Sequence, residues 1–247
     1  DVRVVMPLYK EAERNLRRLG FKVQTIRNKE VMVPIDWISH KGKIKETKID
    51  GVTVYFLINE EFYDRDFIYG SPSGDFSDND IRFGFLSLGA LEIVKAMEFQ
   101  PDIIHWNDWQ TALVPITLKW KKHYHDDPFF KNTKVVYTIH NLAYQGLYQE
   151  DLINKFGLPS YIFNMDGLEF YGKANLMKGG IISSDLVTTV SPRYAEEIKT
   201  PDYGYWLDGV LQSISNQAKL VGIMNGLDYD VWNPEIDNSI FFCSYSF

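Results

Sequence analysis

One cysteine, Cys243, stands in 247 residues. A lone thiol excludes an intramolecular disulfide framework and suits a reducing compartment, so the sequence predicts a cytoplasmic protein. No N-x-[ST] glycosylation acceptor and no secretory pattern are present. No stretch approaches the roughly eighteen consecutive apolar residues of a membrane-crossing helix. Excess positive charge is also missing: 26 Lys and Arg against 33 Asp and Glu leave a net charge of -7. That balance argues against nucleic-acid and anionic-membrane partners, which need a basic surface. It leaves room for an anionic small substrate in a local pocket.

The hydrophobic share is 45% and the charged share 24%, ordinary for a globular protein. A chain this long buries enough apolar surface to fold without a disulfide or metal staple. Aromatics are the unusual feature, at 15% with 15 Tyr and 6 Trp. Such side chains offer a flat apolar face and a polar edge, suited either to core packing or to stacking on sugar rings.

Residues 2–7 read as a strand from the outset, which leads us to expect an earlier strand and helix. A short helix follows over 11–19, then β-rich stretches over 21–26, 31–35 and 51–58. Residues 60–77 form a long polar and aromatic loop, the kind that is usually functional or mobile. Asp78-Asn79-Asp80 supplies helix-capping chemistry for a helix over 81–97, with Phe85, Leu88, Leu91 and Val94 at helical spacing. Beyond it, strands at 102–106, 134–140, 186–190 and 220–224 alternate with helices at 111–122, 174–183, 192–198 and 209–218. That alternation predicts βαβ units: one Rossmann-like, doubly wound, mostly parallel α/β domain with a β-rich insertion.

Open α/β sheets bind ligands at the carboxyl ends of their strands. Here those ends carry Asn107-Asp108-Trp109, His140-Asn141, Ser191 and Asn225-Gly226. Carboxylate, imidazole and amide groups together suit a polyhydroxylated ligand, although each residue could instead cap the following helix. Two D-x-D sequences, Asp64 to Asp66 and Asp78 to Asp80, lack the strand-end context of a metal site. His123, His125, Asp126 and Asp127 read as a solvated helix end. Neither a metal nor a cofactor is implied. Gly84 and Gly89 lie inside a helix and make no dinucleotide fingerprint.

The residues after the strands resemble those of the glycogen/starch synthase family. Asp102-Ile103-Ile104-His105-Trp106-Asn107-Asp108-Trp109 is similar to its D-(I/V)-(I/V)-H-x-(H/N)-D-W segment. Thr138-Ile139-His140-Asn141-Leu142-Ala143-Tyr144-Gln145-Gly146 matches its T-(I/V)-H-N-L-A-Y-Q-G segment throughout. The runs 175–181 and 188–195 resemble N-x-x-K-G-G-(I/L) and T-V-S-P-x-Y-A. Residues 222–228 with Trp232-Asn233-Pro234 resemble its G-I-x-N-G-(I/L/V)-D…W-(N/D/S)-P turn. Order and spacing agree across nearly the whole chain.

The resemblance implies a GT-B fold and a retaining transfer of glucose from ADP-glucose to the non-reducing end of an α-1,4-glucan such as glycogen, starch or a maltooligosaccharide. It assigns Asp108 and His140 to the reacting glucosyl unit, and Tyr69, Trp109, Asn141, Tyr144 and Asn225 to substrate contact, with Trp206 near the acceptor. A plastid stroma replaces the cytoplasm if the source is a plant. The departures carry expectations of their own. The family's first strand and its K-x-G-G-L phosphate loop have no counterpart here, and residues 2–7 match its second strand. Residues 1–247 therefore read as a single N-terminal, acceptor-side domain. The C-terminal nucleotide-binding domain is absent, residues 241–247 are a linker stub, and the fragment alone is inactive. The alternative is a glucan-binding module with no catalytic duty.

Overall fold

The structure is a computed structural model that describes residues 1–237 and 239–240. Cys243 and the stub at 241–247 lie outside the described residues. Fourteen elements frame the site. β1 (Arg3–Pro7) leads into α1 (Lys10–Arg18), then β2 (Gln24–Ile35), β3 (Ile38–Ile49) and β4 (Val52–Ile58). After α2 (Asn79–Ala96) come β5 (Ile103–Asn107), α3 (Leu113–Trp120) and β6 (Lys134–Ile139). The chain continues through α4 (Leu176–Ser183), β7 (Leu186–Thr189), α5 (Pro192–Glu197), α6 (Asp208–Asn216) and β8 (Leu220–Gly222).

The expected alternation of strands and helices is present, but the strands divide between two hydrogen-bonded sheets. One is wholly parallel, in the order β8-β7-β6-β5. The other, β1-β4-β3-β2, is mixed: β1 runs parallel to β4, while β3 is antiparallel to both its neighbours. The β-rich stretch is larger than its sequence suggested. Residues 21–26 and 31–35 belong to one long strand, with a register irregularity between Thr25 and Glu30.

β3 escapes an apolar reading because its outward positions are Lys41, Lys43 and Lys48, with Gly42, Ile44 and Thr47 buried between them. Its turns were the available signal. Asp50-Gly51 separates Ile49 from its partner Val52, with φ of 49° and 82°. Asp-Gly with both residues left-handed matches the twist of a two-residue hairpin. Asp36-Trp37 closes the β2–β3 hairpin the same way, at 48° and 65°.

α2 is the central pillar. Phe85, Leu88, Leu91 and Ile93 are fully buried, and so are Ser87 and Arg82. A helix that is buried all round belongs to the core rather than to a surface. It packs on the mixed sheet and, on its other side, against α3 and the turn that follows β5, so it binds the two sheets into one hydrophobic cluster. Its two glycines serve close packing. A Cβ on Gly84 would overlap the buried Phe156 ring, and one on Gly89 would crowd Leu57. None of the helices among the described residues is long and apolar enough to cross a membrane.

Gly84→Ala adds helix propensity, up to about 1 kcal/mol, but forces overpacking against Phe156. Denaturant unfolding is expected to show a net destabilisation of about 1–3 kcal/mol. An unchanged or raised stability would contradict this packing.

Candidate functional site

The site is assembled where β5 and β6 end. Their parallel ladder pairs Asn107 with Thr138, and the Asp108 amide extends it by donating to the Thr138 carbonyl at 3.0 Å. Asp108 then takes φ 56° and ψ -176°, a region almost reserved for glycine. Such backbone costs on the order of 1–3 kcal/mol and persists only where its surroundings over-determine it. The carboxylate does not cap the following turn, which removes the helix-cap alternative. Instead Oδ1 accepts from the backbone amide of His140 at 2.8 Å. Its other oxygen has no partner among the described residues.

His140 is exposed, and its ring is held from below. Nε2 lies 2.9 Å from Asn107 Oδ1. With that oxygen as acceptor, Nε2 is the donor of this bond, which leaves Nδ1 as the ring nitrogen turned to other partners. Asn107 is itself clamped, because Thr111 Oγ1 donates to its carbonyl at 2.7 Å and accepts from its amide at 3.0 Å. Beneath the pair runs a hydroxyl ladder. His105 Nε2 sits 2.6 Å from Thr138 Oγ1, which sits 2.6 Å from Thr188 Oγ1, linking β5, β6 and β7. Burial, reinforced by the neighbouring His140, lowers the His105 pKa below its usual value and favours its neutral form at pH 7.

Beside this junction opens a cleft of about 440 Å³, lined by Tyr69, Asp75, Asn79, Asp108, Trp109, Gln110, Asn141 and Tyr144. Five residues singled out in the sequence therefore face one space, and His140 joins them through its bond to Asp108. Tyr69 and Tyr144 are well exposed. Trp109 is not free in the same way. It packs edge-on against Phe83 at 5.1 Å and lies near Tyr148 at 5.9 Å. A Cβ on Gly146 would lie 2.5 Å from Trp109 Cε3, and Gly146 has φ 65°. Both facts require glycine there. Trp109 is thus a fixed wall.

Asn225 is not brought into the cleft. It follows β8, the far edge strand of the parallel sheet, and is exposed at the same carboxyl edge. Ser191 is consumed by capping α5, its hydroxyl accepting from the Tyr194 amide at 2.9 Å. Trp206 is exposed and belongs to the only pair of consecutive left-handed aromatics among the described residues, Tyr205 at φ 47° and Trp206 at 62°. That pair is tied to the site through Gln145. The Gln145 amide donates to the Tyr205 carbonyl at 3.1 Å and accepts from the Asn175 side chain at 2.6 Å. Asn175 also caps α4.

The aromatic loop at 60–77 is shaped by Arg82. This buried guanidinium donates to the carbonyls of Phe62 and Ile68 and to Asn79 Oδ1. Asn79 in turn donates to the Tyr69 carbonyl at 2.7 Å, so the loop is ordered as it delivers Tyr69. Asp78 does not cap α2 as the sequence suggested. It pairs with Arg65 instead; burial pushes its carboxyl up, but the Arg65 hydrogen bond and charge prevail and hold it below the usual value. Asp80 pairs with Lys155 at 3.0 Å. Both carboxylates are occupied, and no cluster of metal-ligating side chains occurs among the described residues. Sequence reasoning missed Asp75, Asn79 and Gln110 as lining residues and Asn107 as the anchor of His140. Only Asn107 carried a signal, its place at a strand end.

The strain at Asp108 has a measurable consequence. Asp108→Ala and Asp108→Gly both delete the bond to the His140 amide, but only glycine relaxes the backbone. Asp108→Gly is expected to be the more stable of the two by about 1–3 kcal/mol in denaturant unfolding. Equal stabilities would contradict the strained geometry.

Residues 1–213 match the family model described as starch synthase catalytic domain. The glycogen synthase of Geotalea uraniireducens (strain Rf4) is 46% identical over 241 residues, which cover 98% of this chain and 48% of that protein. The glycogen synthase of Thermotoga maritima is 42% identical over 243 residues, with 98% and 48% covered. This chain spans about half the length of the curated relatives it matches. The solved catalytic domain of Starch Synthase IV from Arabidopsis thaliana, bound to ADP and acarbose, superposes with a TM-score of 0.81 at 29% identity, over 99% of this chain and 48% of that one. With the parallel sheet, that likeness assigns the α/β GT-B class. Family model, relatives and fold agree: the chain belongs to the starch synthase catalytic domain family.

Proposed function

We propose that this chain is the N-terminal, acceptor-side domain of a retaining glucosyltransferase that moves glucose from ADP-glucose to the non-reducing end of an α-1,4-glucan. The observation that carries the reading is the chemistry of the cleft. Its lining holds two carboxylates, Asp75 and Asp108, three side-chain amides and three aromatic rings, and no Lys or Arg. Such a surface suits sugar hydroxyls. Carboxylates accept from them in strong, charge-assisted bonds, and exposed tyrosines offer flat apolar faces. A diphosphate would meet only negative charge here, so the cations that stabilise the departing nucleotide have to come from elsewhere in the protein. The names of the relatives and the ADP and acarbose of the Arabidopsis protein support the same substrate pair.

Within this reading the free oxygen of Asp108 receives a hydroxyl of the transferred glucose. His140, turned by Asn107, offers Nδ1 or its backbone carbonyl beside the reacting carbon. The arrangement is made before the ligand arrives, because the Asp108 and His140 positions are set by backbone bonds. Groups so fixed stabilise a transition state without reorganising.

In the whole protein, Asp108→Ala or His140→Ala is expected to lower kcat by about 100-fold or more, with thermal melting showing a folded enzyme. Near-normal turnover in either variant would contradict the roles assigned to Asp108 and His140; a whole protein that binds glucan but shows no transferase turnover at all would favour the non-catalytic glucan-binding module. Calorimetric titration of this chain is expected to give saturable binding of maltoheptaose and none of ADP-glucose. Tight ADP-glucose binding would contradict the acceptor-side assignment.

A further inference from the structure

The amino edge of the parallel sheet, opposite the cleft, carries a second concentration of charged groups. Lys134 begins β6, Asp185 directly precedes β7, and Lys219 directly precedes β8. All three line one cavity of about 490 Å³, together with Lys119, Lys131 and Ser183. Its inner wall is apolar, because Pro115, Phe130 and Val135 face it and are themselves buried. An adjoining cavity of about 430 Å³ shares Lys119, Ser184 and Lys219 and adds Lys178. β6 runs from the first cavity, at Lys134, directly to His140, so the two sites lie roughly 20 Å apart at opposite ends of one strand.

The charges of this cavity do not balance. Four lysines line it against one carboxylate, Asp185, in a chain whose net charge is -7. Asp185 is fully engaged: one oxygen pairs with Lys134 at 3.1 Å, and the other accepts from the Val135 amide at 2.9 Å. Lys119 donates to the Ile182 carbonyl in the last turn of α4, where a helix end is partly negative. Lys131 and Lys219 have neither an ion pair nor a side-chain hydrogen bond among the described residues. Partial burial lowers the Lys119 pKa, and the charge of Lys219 lowers it further, outweighing the opposite pull of Asp185. Like charges that perturb one another in this way favour a bound anion. Two further groups face the same space. His125 is held by the Leu118 carbonyl, 3.3 Å from Nδ1. Ser183 accepts from Trp120 Nε1 at 3.0 Å, which leaves its own hydroxyl proton to donate.

We propose that this cavity binds a small phosphate monoester, its phosphoryl group taken by Lys131 and Lys219 and its apolar body set against Pro115, Phe130 and Val135. A terminal phosphoryl group carries about two negative charges at pH 7, and lysine binds it as a point charge. The Ser183 hydroxyl supplies a neutral donor beside the cations. Neutralising helix ends is the competing duty for lysines at this edge; it accounts for Lys119 but leaves Lys131 and Lys219 without a task. The apolar wall selects an ester over a bare inorganic anion, because burying an apolar group there adds affinity. ADP-glucose is excluded, since both of its phosphates are esterified on two sides and neither is terminal. The site is distinct from the carboxyl-edge cleft, whose lining holds no Lys or Arg, and the proposal stands apart from the glucosyl-transfer reading.

Thermal melting of this chain with phenyl phosphate and inorganic phosphate as probes provides the test. Phenyl phosphate at millimolar concentration is expected to raise the Tm saturably, by about 2 °C or more. Inorganic phosphate is expected to need at least about 3-fold more for the same effect. A rise equalled by sodium chloride at matched ionic strength would overturn the proposal, and so would inorganic phosphate as effective as the ester. The double variant Lys131→Ala/Lys219→Gln is expected to melt at or above the unaltered chain without ligand, because it relieves Lys119 of a like charge, and to lose the phenyl phosphate shift. A shift that survives in the variant contradicts the assignment. Amide NMR of the unaltered chain gives a readout that needs no variant. Phenyl phosphate is expected to move the resonances of residues 131–135, 183–185 and 219 and to leave those of 107–109 and 140 in place. Movement centred on the second group would assign the anion to the carboxyl-edge cleft and overturn the proposal.

Discussion

A single hydrogen bond, from the His140 amide to the Asp108 carboxylate at 2.8 Å, sets the strand-end junction around which the site is arranged. It joins the ends of two neighbouring parallel strands and turns a strand-end aspartate away from the helix it would otherwise cap. It also explains how a non-glycine residue is kept at φ 56° and ψ -176°. The backbone bond to Thr138, the Thr111 clamp on Asn107 and the hydroxyl ladder through Thr138 and Thr188 are what hold that geometry against its strain. The cost, on the order of 1–3 kcal/mol, is offset by bonds that also pre-set the site.

The aromatic and amide groups around this junction depend on packing further away. Tyr69 arrives because buried Arg82 gathers the carbonyls of a long loop. Trp109 stands still because Gly146 leaves it room and Phe83 meets its edge. Gln145 and Asn175, from two separate sequence runs, hydrogen-bond each other in the core. Many residues of those runs are therefore there for architecture, and the ligand-facing set is small.

Much of this was legible in the sequence, for stated physical reasons. The parallel half was readable because buried strands are continuous apolar runs with polar ends, and the helices between them carry a 3–4-residue apolar period. The Lys-rich β3 was not, because its buried positions are Gly42 and Ile44 on one face and Thr47 on the other, which no apolar alternation reveals; its Asp50-Gly51 turn was the overlooked sign. At the site, Asp108, His140, Trp109 and Asn141 were found as strand-end chemistry, and Tyr69 and Tyr144 through family resemblance. Asn107's task as the anchor of the His140 ring, and the diversion of Asp78 from cap to ion pair, depend on tertiary contacts with partners 33 and 13 residues away. Nothing local encodes them.

The central claim is that a preset Asp108–His140 junction, walled by aromatic and amide side chains, holds a glucosyl unit. A crystal structure of this chain with maltoheptaose tests it most directly. The account predicts a glucose ring in the cleft between Tyr69 and Tyr144, with a hydroxyl on the free oxygen of Asp108 and the His140 amide still bonded to the other. A glucan seated elsewhere, or an Asp108 that swings away from His140 to receive it, would contradict the account.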